Sequence, residues 1–142
     1  MAYNILIVDD SNPMRAVIKK VVKASGFDVG RFFEATDGHD ALKVLNHEWI
    51  DLVLTDYNMP HMNGLELVEK MDKDENLKSI PVIMITTEGS RERVQEFMAK
   101  GVMDYIKKPF TPEQIKQRLK HVMGEADDEK QRYDNSDEEL DF

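Results

Sequence analysis

The 142-residue chain has no cysteine, which excludes a disulfide scaffold, a thiolate metal site and a thiol nucleophile. A reducing compartment fits that lack. No apolar run is long enough to cross a bilayer, and the start MAYNILIVDD lacks the basic flank and small-residue cleavage site of an export signal. The expected location is the cytoplasm, without membrane insertion. Excess positive charge is missing too, with 28 acids against 19 bases and a net charge of −9. Nine acids and two bases fall in residues 125–142, so residues 1–124 carry 19 acids and 17 bases. A nearly neutral body offers no broad positive field to a phosphate backbone, which argues against nucleic acid as a direct partner. The length suits one hydrophobic core and leaves little room for a second.

Short apolar runs alternate with segments whose apolar residues recur at helical spacing, the pattern of a repeated strand–helix unit. Strands are expected at 5–8, 31–35, 52–55, 82–86 and 103–106. Continuous runs such as Ile5-Leu6-Ile7-Val8 suit strands covered on both faces, as in a parallel sheet with helical crossovers. Pro13 suits the first turn of the first helix, and Gly26 follows its last periodic residues. The second helix is expected around residues 41–45. Asn63 with Glu66 opens the third, and Val94, Phe97 and Met98 give the fourth its apolar stripe. Thr111-Pro112-Glu113-Gln114 combines a capping hydroxyl, a first-turn proline and a capping-box glutamine before Ile115, Leu119 and Val122. The expected architecture is an α/β/α sandwich over residues 1–124. Residues 125–142 have too little apolar content to offset the entropy of ordering and are expected to form an acidic flexible tail.

The informative residues stand at the carboxyl ends of the expected strands: Asp9-Asp10 after the first, Asp56 after the third, Thr86 at the end of the fourth and Lys108 after the fifth. In an open parallel sheet these ends border one crevice, where ligands bind. Three carboxylates there repel one another and call for a cation. Oxygen donors alone suit Mg²⁺, a hard ion that keeps part of its water and also takes phosphate oxygens. With Lys108 added the formal charge sums to zero, a site matched to an incoming phosphoryl group. Asp56 stands alone after a buried strand and is the expected acceptor, forming an acyl phosphate; Asp9 and Asp10 read as a metal clamp. Thr86 offers a hydroxyl to a phosphoryl oxygen.

These residues, with the blocks LVLTDYNMP at 52–60, NGLEL at 63–67, PVIMIT at 81–86 and KPF at 108–110, resemble response-regulator receiver domains, particularly single-domain chemotaxis regulators. The similarity runs over residues 4–123. It implies a flavodoxin-like (βα)5 fold with strand order 2-1-3-4-5, phosphorylation of Asp56 by a histidine kinase, and output by protein contact. Asp10 then corresponds to the direct Mg²⁺ ligand, Asp9 to a helper through water, and the Asn58 carbonyl to the last protein ligand. Thr86 and Lys108 correspond to the catalytic partners, and Thr86 with Tyr105 to the switch pair, the tyrosine turning from solvent to a buried pose. The Lys108–Pro109 bond is expected to be cis. Asn58 and Glu88 match positions that flank the hydrolytic water in fast-resetting members, so a short-lived phosphoryl state is expected. The implied partners are the kinase, a flagellar motor switch protein and a phosphatase. Tyr57 stands where some chemotaxis members have tryptophan, and Trp49 lies before the third strand, so no metal-quenched tryptophan signal is expected.

Other readings compete. A phosphorelay carrier or a sink for a kinase would share every site residue. A Mg²⁺-dependent aspartate phosphatase typically needs a second acid two residues after its nucleophile, where this chain has Asn58, which supplies no proton at neutral pH. His39, His47, His61 and His121 show no paired spacing and read as surface residues. Met59 and Met62 read as packing near the mouth of the site, and Lys107 as solvated. The end of the tail, Glu138 to Phe142, reads foremost as a solubilising terminus, with docking on the face of the fourth helix, fifth strand and fifth helix as the alternative.

Overall fold

A computed structural model describes residues 2–124; the expected acidic tail lies outside the described residues. Five strands, β1 (Tyr3–Val8), β2 (Val29–Ala35), β3 (Leu52–Thr55), β4 (Val82–Thr86) and β5 (Asp104–Lys107), form one parallel sheet in the order β2-β1-β3-β4-β5. Five helices alternate with them: α1 (Asn12–Ala24), α2 (Gly38–His47), α3 (Gly64–Asp72), α4 (Arg91–Ala99) and α5 (Pro112–Met123).

The period-two alternation of side chains splits the core into two layers. Leu6, Val8, Val53, Val82 and Met84 face one side, where Ala41 and Leu45 of α2, Leu65, Val68 and Met71 of α3 and Phe97 of α4 cover them. Ile5, Ile7, Leu52, Leu54, Ile83 and Ile85 face the other, covered by Ile18 and Val22 of α1 and Ile115 and Leu119 of α5. Each such fully buried aliphatic side chain contributes on the order of 1.5–3 kcal/mol, so the three central strands anchor the loops that follow them. That is why β1, β3 and β4 read as unbroken apolar runs.

The helix ends obey local chemistry. Ser11, Asp37, Asn63, Ser90 and Thr111 each accept a hydrogen bond from an amide in the first turn of their helix, and Asn63–Glu66 and Thr111–Gln114 form complete capping boxes. Gly26 takes the left-handed conformation, φ 83°, just past α1 and donates to the Lys23 carbonyl.

Three expectations shift. Both β1 and β2 begin two residues earlier than their apolar runs, because backbone pairing of Tyr3 with Val29 extends the ladder beyond the buried stretch. At the other edge β5 starts at Asp104 rather than Met103, whose side chain is 52% exposed. On α4 only Phe97 is fully buried; Met98 is 41% exposed and Val94 half-buried, so the fourth helix presents a narrower apolar face than its sequence suggests. Among the described residues no helix is long and apolar enough to cross a membrane.

Candidate functional site

The strand order reverses at β1, whose neighbours β2 and β3 lie on opposite sides, and the crevice beyond β1 and β3 is the switch point where such sheets bind ligands. Asp9 and Asp10 follow β1 and Asp56 follows β3, so the sheet itself delivers the three carboxylates. One oxygen from each lies within 4.8 Å of the others. Asp9 is buried, Asp56 half-buried and Asp10 exposed, which gives the cluster a wet side. An all-oxygen set with an open face fits a small hard cation that retains water.

Lys108 arrives from the end of β5. Its Nζ is 3.1 Å from Asp9 Oδ2 and 3.3 Å from Asp56 Oδ2, and its bond to Pro109 is cis, as the resemblance implies. Asp56 is held on its other oxygen by the Tyr57 amide, which donates to Oδ1 at 2.7 Å, while its own amide donates to the Val8 carbonyl. Burial pushes the Asp56 carboxyl above its ordinary value; Lys108 and the Tyr57 amide oppose that shift, and the Asp9 charge adds to it. The pocket therefore holds an acid whose negative charge is under-compensated, the state that a divalent ion would relieve.

Thr86 is completely buried at the end of β4, and its hydroxyl oxygen accepts the Glu88 amide at 3.0 Å. Its carbonyl accepts the Lys108 amide, which ties the hydroxyl and the ammonium to one stretch of backbone. Asn58 is exposed and lines an open cleft beside Asp10 with Met59, His61, Asn63 and Glu66. Glu88 stands on the separate loop between β4 and α4, joined to Thr86 through its amide. Tyr105 is half-buried against the same apolar layer as Phe97 and Val102. Lys107 is exposed, as expected.

Several contributors escaped the sequence reading. Gly64 opens α3 so close to the acceptor that a Cβ there would stand 2.5 Å from the Asp56 carbonyl oxygen and 2.7 Å from Met84 Sδ. The Tyr57 ring lies 5.4 Å from Phe97 and under the Arg93 guanidinium at 4.6 Å, joining the residue after the acceptor to α4. Arg15 is buried on α1 and donates to the Asp9 carbonyl; an arginine in register with Ile18 and Val22 on a buried stripe was the available signal. Met62 is buried against Gly38 and also lines the cleft beside Asp10, as expected of packing near the mouth of the site. His121 meets Asp104 at 3.1 Å, and among the described residues no histidine joins a metal-competent cluster. Trp49 is 81% exposed, and its carbonyl accepts from Asn4 at the start of β1, the opposite end of the sheet from the acids.

Comparison with known proteins agrees with this geometry. The model of the response regulator receiver domain matches residues 5–120. Chemotaxis protein CheY1 of Helicobacter pylori is 43% identical over 124 residues, covering 87% of this chain and 98% of the relative. Chemotaxis protein CheY-3 of Vibrio cholerae is 43% identical over 118 residues, covering 83% of this chain and 89% of that protein. Among solved structures, the chemotaxis response regulator CheY4 of Vibrio cholerae superposes with a TM-score of 0.77 at 32% identity, covering 87% of this chain and all of the other. The chain belongs to the response-regulator receiver family, with the chemotaxis regulators of the CheY type as its relatives.

Proposed function

We propose that this chain is a phosphorylation-gated chemotaxis signal carrier, in which Asp56 accepts a phosphoryl group from a histidine kinase and the charged form binds a flagellar motor switch protein. The observation that carries this reading is the convergence of three carboxylates within 4.8 Å with one ammonium bridging two of them. A carboxylate oxygen of Asp56 attacks phosphorus, the phosphorus–nitrogen bond of the donor histidine breaks, and the electron pair leaves on the imidazole nitrogen. Asp9, Asp10, Asp56 and the Asn58 carbonyl would hold Mg²⁺, which when bound supplies positive charge to the phosphoryl oxygens. Lys108 then exchanges its Asp56 contact for the new group. Thr86, freed from the Glu88 amide, donates its hydroxyl to a phosphoryl oxygen, and Tyr105 packs into the space that Thr86 leaves.

In this reading residues 1–124 are the receiver unit, 125–142 an acidic extension, and the cytoplasm the site of action. The chain acts as a signalling protein that catalyses its own charging and resetting, with a phosphatase as an additional partner. A pull-down with the intact chain and Asp56→Ala, each with and without a small phosphodonor, tests it. A flagellar switch protein retained only by the charged, intact chain supports the reading. Retention of a phosphotransfer protein alone would make the chain a relay or a sink. Sustained turnover of ordinary phosphomonoesters, lost in Asp56→Asn, would make it a phosphatase.

A further inference from the structure

Asp10 is the exposed member of the acid cluster, and among the described residues its carboxylate makes no hydrogen bond or ion pair. The one fixed element of its placement is therefore the Cα–Cβ direction given by its backbone, whose preceding peptide group carries the Asp9 carbonyl. That carbonyl accepts the Arg15 Nη1 at 2.5 Å in a buried contact. Arg15 is 7% exposed, and a guanidinium so far from water needs fixed partners. It has a second one: Nε donates to Glu34 Oε1 at 3.0 Å, and Lys19 Nζ holds Glu34 Oε2 at 3.0 Å. The Glu34 carboxyl lies below its ordinary value because of Lys19 first, then Arg15, against a desolvation cost. The rest of Asp9 is pinned as well, by its amide to the Ala35 carbonyl, Oδ1 to the Ser11 amide and Oδ2 to Lys108.

We propose that Arg15 is a positioning residue for the acid pair: its planar fork, fixed by Glu34 at the edge strand, clamps the peptide group between Asp9 and Asp10 and so aims both carboxylates at a common divalent ion. The inference rests on the reading of these acids as a Mg²⁺ site. Residues one step removed from a metal act in this way on its affinity, typically by about 10–100-fold. The sign of the effect separates aiming from charge. A cation near a divalent site repels the ion, so on Coulomb grounds alone removing Arg15 would tighten Mg²⁺ binding. Aiming predicts the reverse. Lysine keeps the charge but, as a single ammonium, does not hold the carbonyl and the Glu34 carboxylate in one plane.

The test is Mg²⁺ titration of the intact chain by calorimetry for wild type, Arg15→Met and Arg15→Lys, with amide spectra of each metal-free chain as the check on fold. The expected result is a dissociation constant raised roughly 10-fold or more in Arg15→Met and severalfold in Arg15→Lys, with the metal-free spectra altered only around residues 8–15 and 34. Arg15→Lys, which retains the buried cation, carries the test if Arg15→Met does not fold. Tighter binding in Arg15→Met, or unchanged binding in Arg15→Lys, would overturn the inference while leaving the metal site standing. Absence of Mg²⁺ binding in the wild type would remove both.

Discussion

Lys108 Nζ lies 3.3 Å from Asp56 Oδ2, and the same atom is 3.1 Å from Asp9 Oδ2. Two carboxylates draw on one ammonium, and burial of Asp56 outweighs the relief that Lys108 gives it. An acceptor left under-neutralised and a cation free to shift towards added negative charge are the two conditions that phosphoryl capture needs.

Lys108→Met separates the two roles of this ammonium. Phosphoryl incorporation from acetyl phosphate is expected to slow by about 10²–10³, the usual cost of losing a preorganised cation or donor at developing charge. Mg²⁺ binding is expected to tighten, because one positive charge leaves the pocket. Rates of mass gain and a metal titration check both; unchanged incorporation would show that Lys108 acts only as a structural partner of Asp9.

Asp56→Asn is expected to stabilise the metal-free fold at neutral pH. Burial raises the Asp56 carboxyl above its ordinary value, so the stability linked to it is fully present below the unfolded-state value and lost as pH rises through the folded-state value. Removing the charge restores that loss, expected as a rise in thermal midpoint. The gain should fade as the buffer is taken to acid, where the wild-type carboxyl is protonated in both states. A midpoint difference independent of pH would contradict this account of Asp56.

Gly64→Ala tests the tight approach of α3 to the acceptor. The added Cβ would stand 2.5 Å from the Asp56 carbonyl, a backbone atom that cannot turn aside. Overpacking of this kind costs about 1–3 kcal/mol, and here it also displaces the acceptor strand's end. Denaturant melts should show the loss, with phosphoryl incorporation falling alongside it.

Asn58 lies on the loop after β3, as the acceptor does, and Glu88 on the loop after β4, and the resemblance implies that both flank the hydrolytic water. The acyl phosphate of the purified chain in Mg²⁺ is expected to decay well within an hour, and Asn58→Leu and Glu88→Leu each to prolong it severalfold by shielding the phosphorus from in-line attack by water, the step that releases the Asp56 carboxylate. Decay of the added mass over time measures this. Persistence for many hours in the wild type would contradict it.

Most of the fold was legible because β1, β3 and β4 are buried on both faces and their side chains leave no ambiguity of period. Edges were less so: β2 mixes exposed and half-buried residues without a period of two, and pairing rather than burial decides where it begins. The convergence of the pocket acids with Lys108 was legible because several strand ends carry such residues together, whereas a single aspartate after a strand often only caps the next helix. Arg15 and Gly64 were not. A sequence shows neither the closeness of two backbones that requires a glycine nor the depth at which a helical arginine sits; both are consequences of packing between segments distant along the chain.

The most direct measurement is peptide-mapped mass spectrometry of the intact chain after exposure to acetyl phosphate, with Mg²⁺ and with a chelator. The account predicts one phosphoryl group, dependent on Mg²⁺, carried on Asp56 and absent from Asp56→Asn. An unaltered mass, or a phosphoryl group mapped to any other side chain, would contradict it.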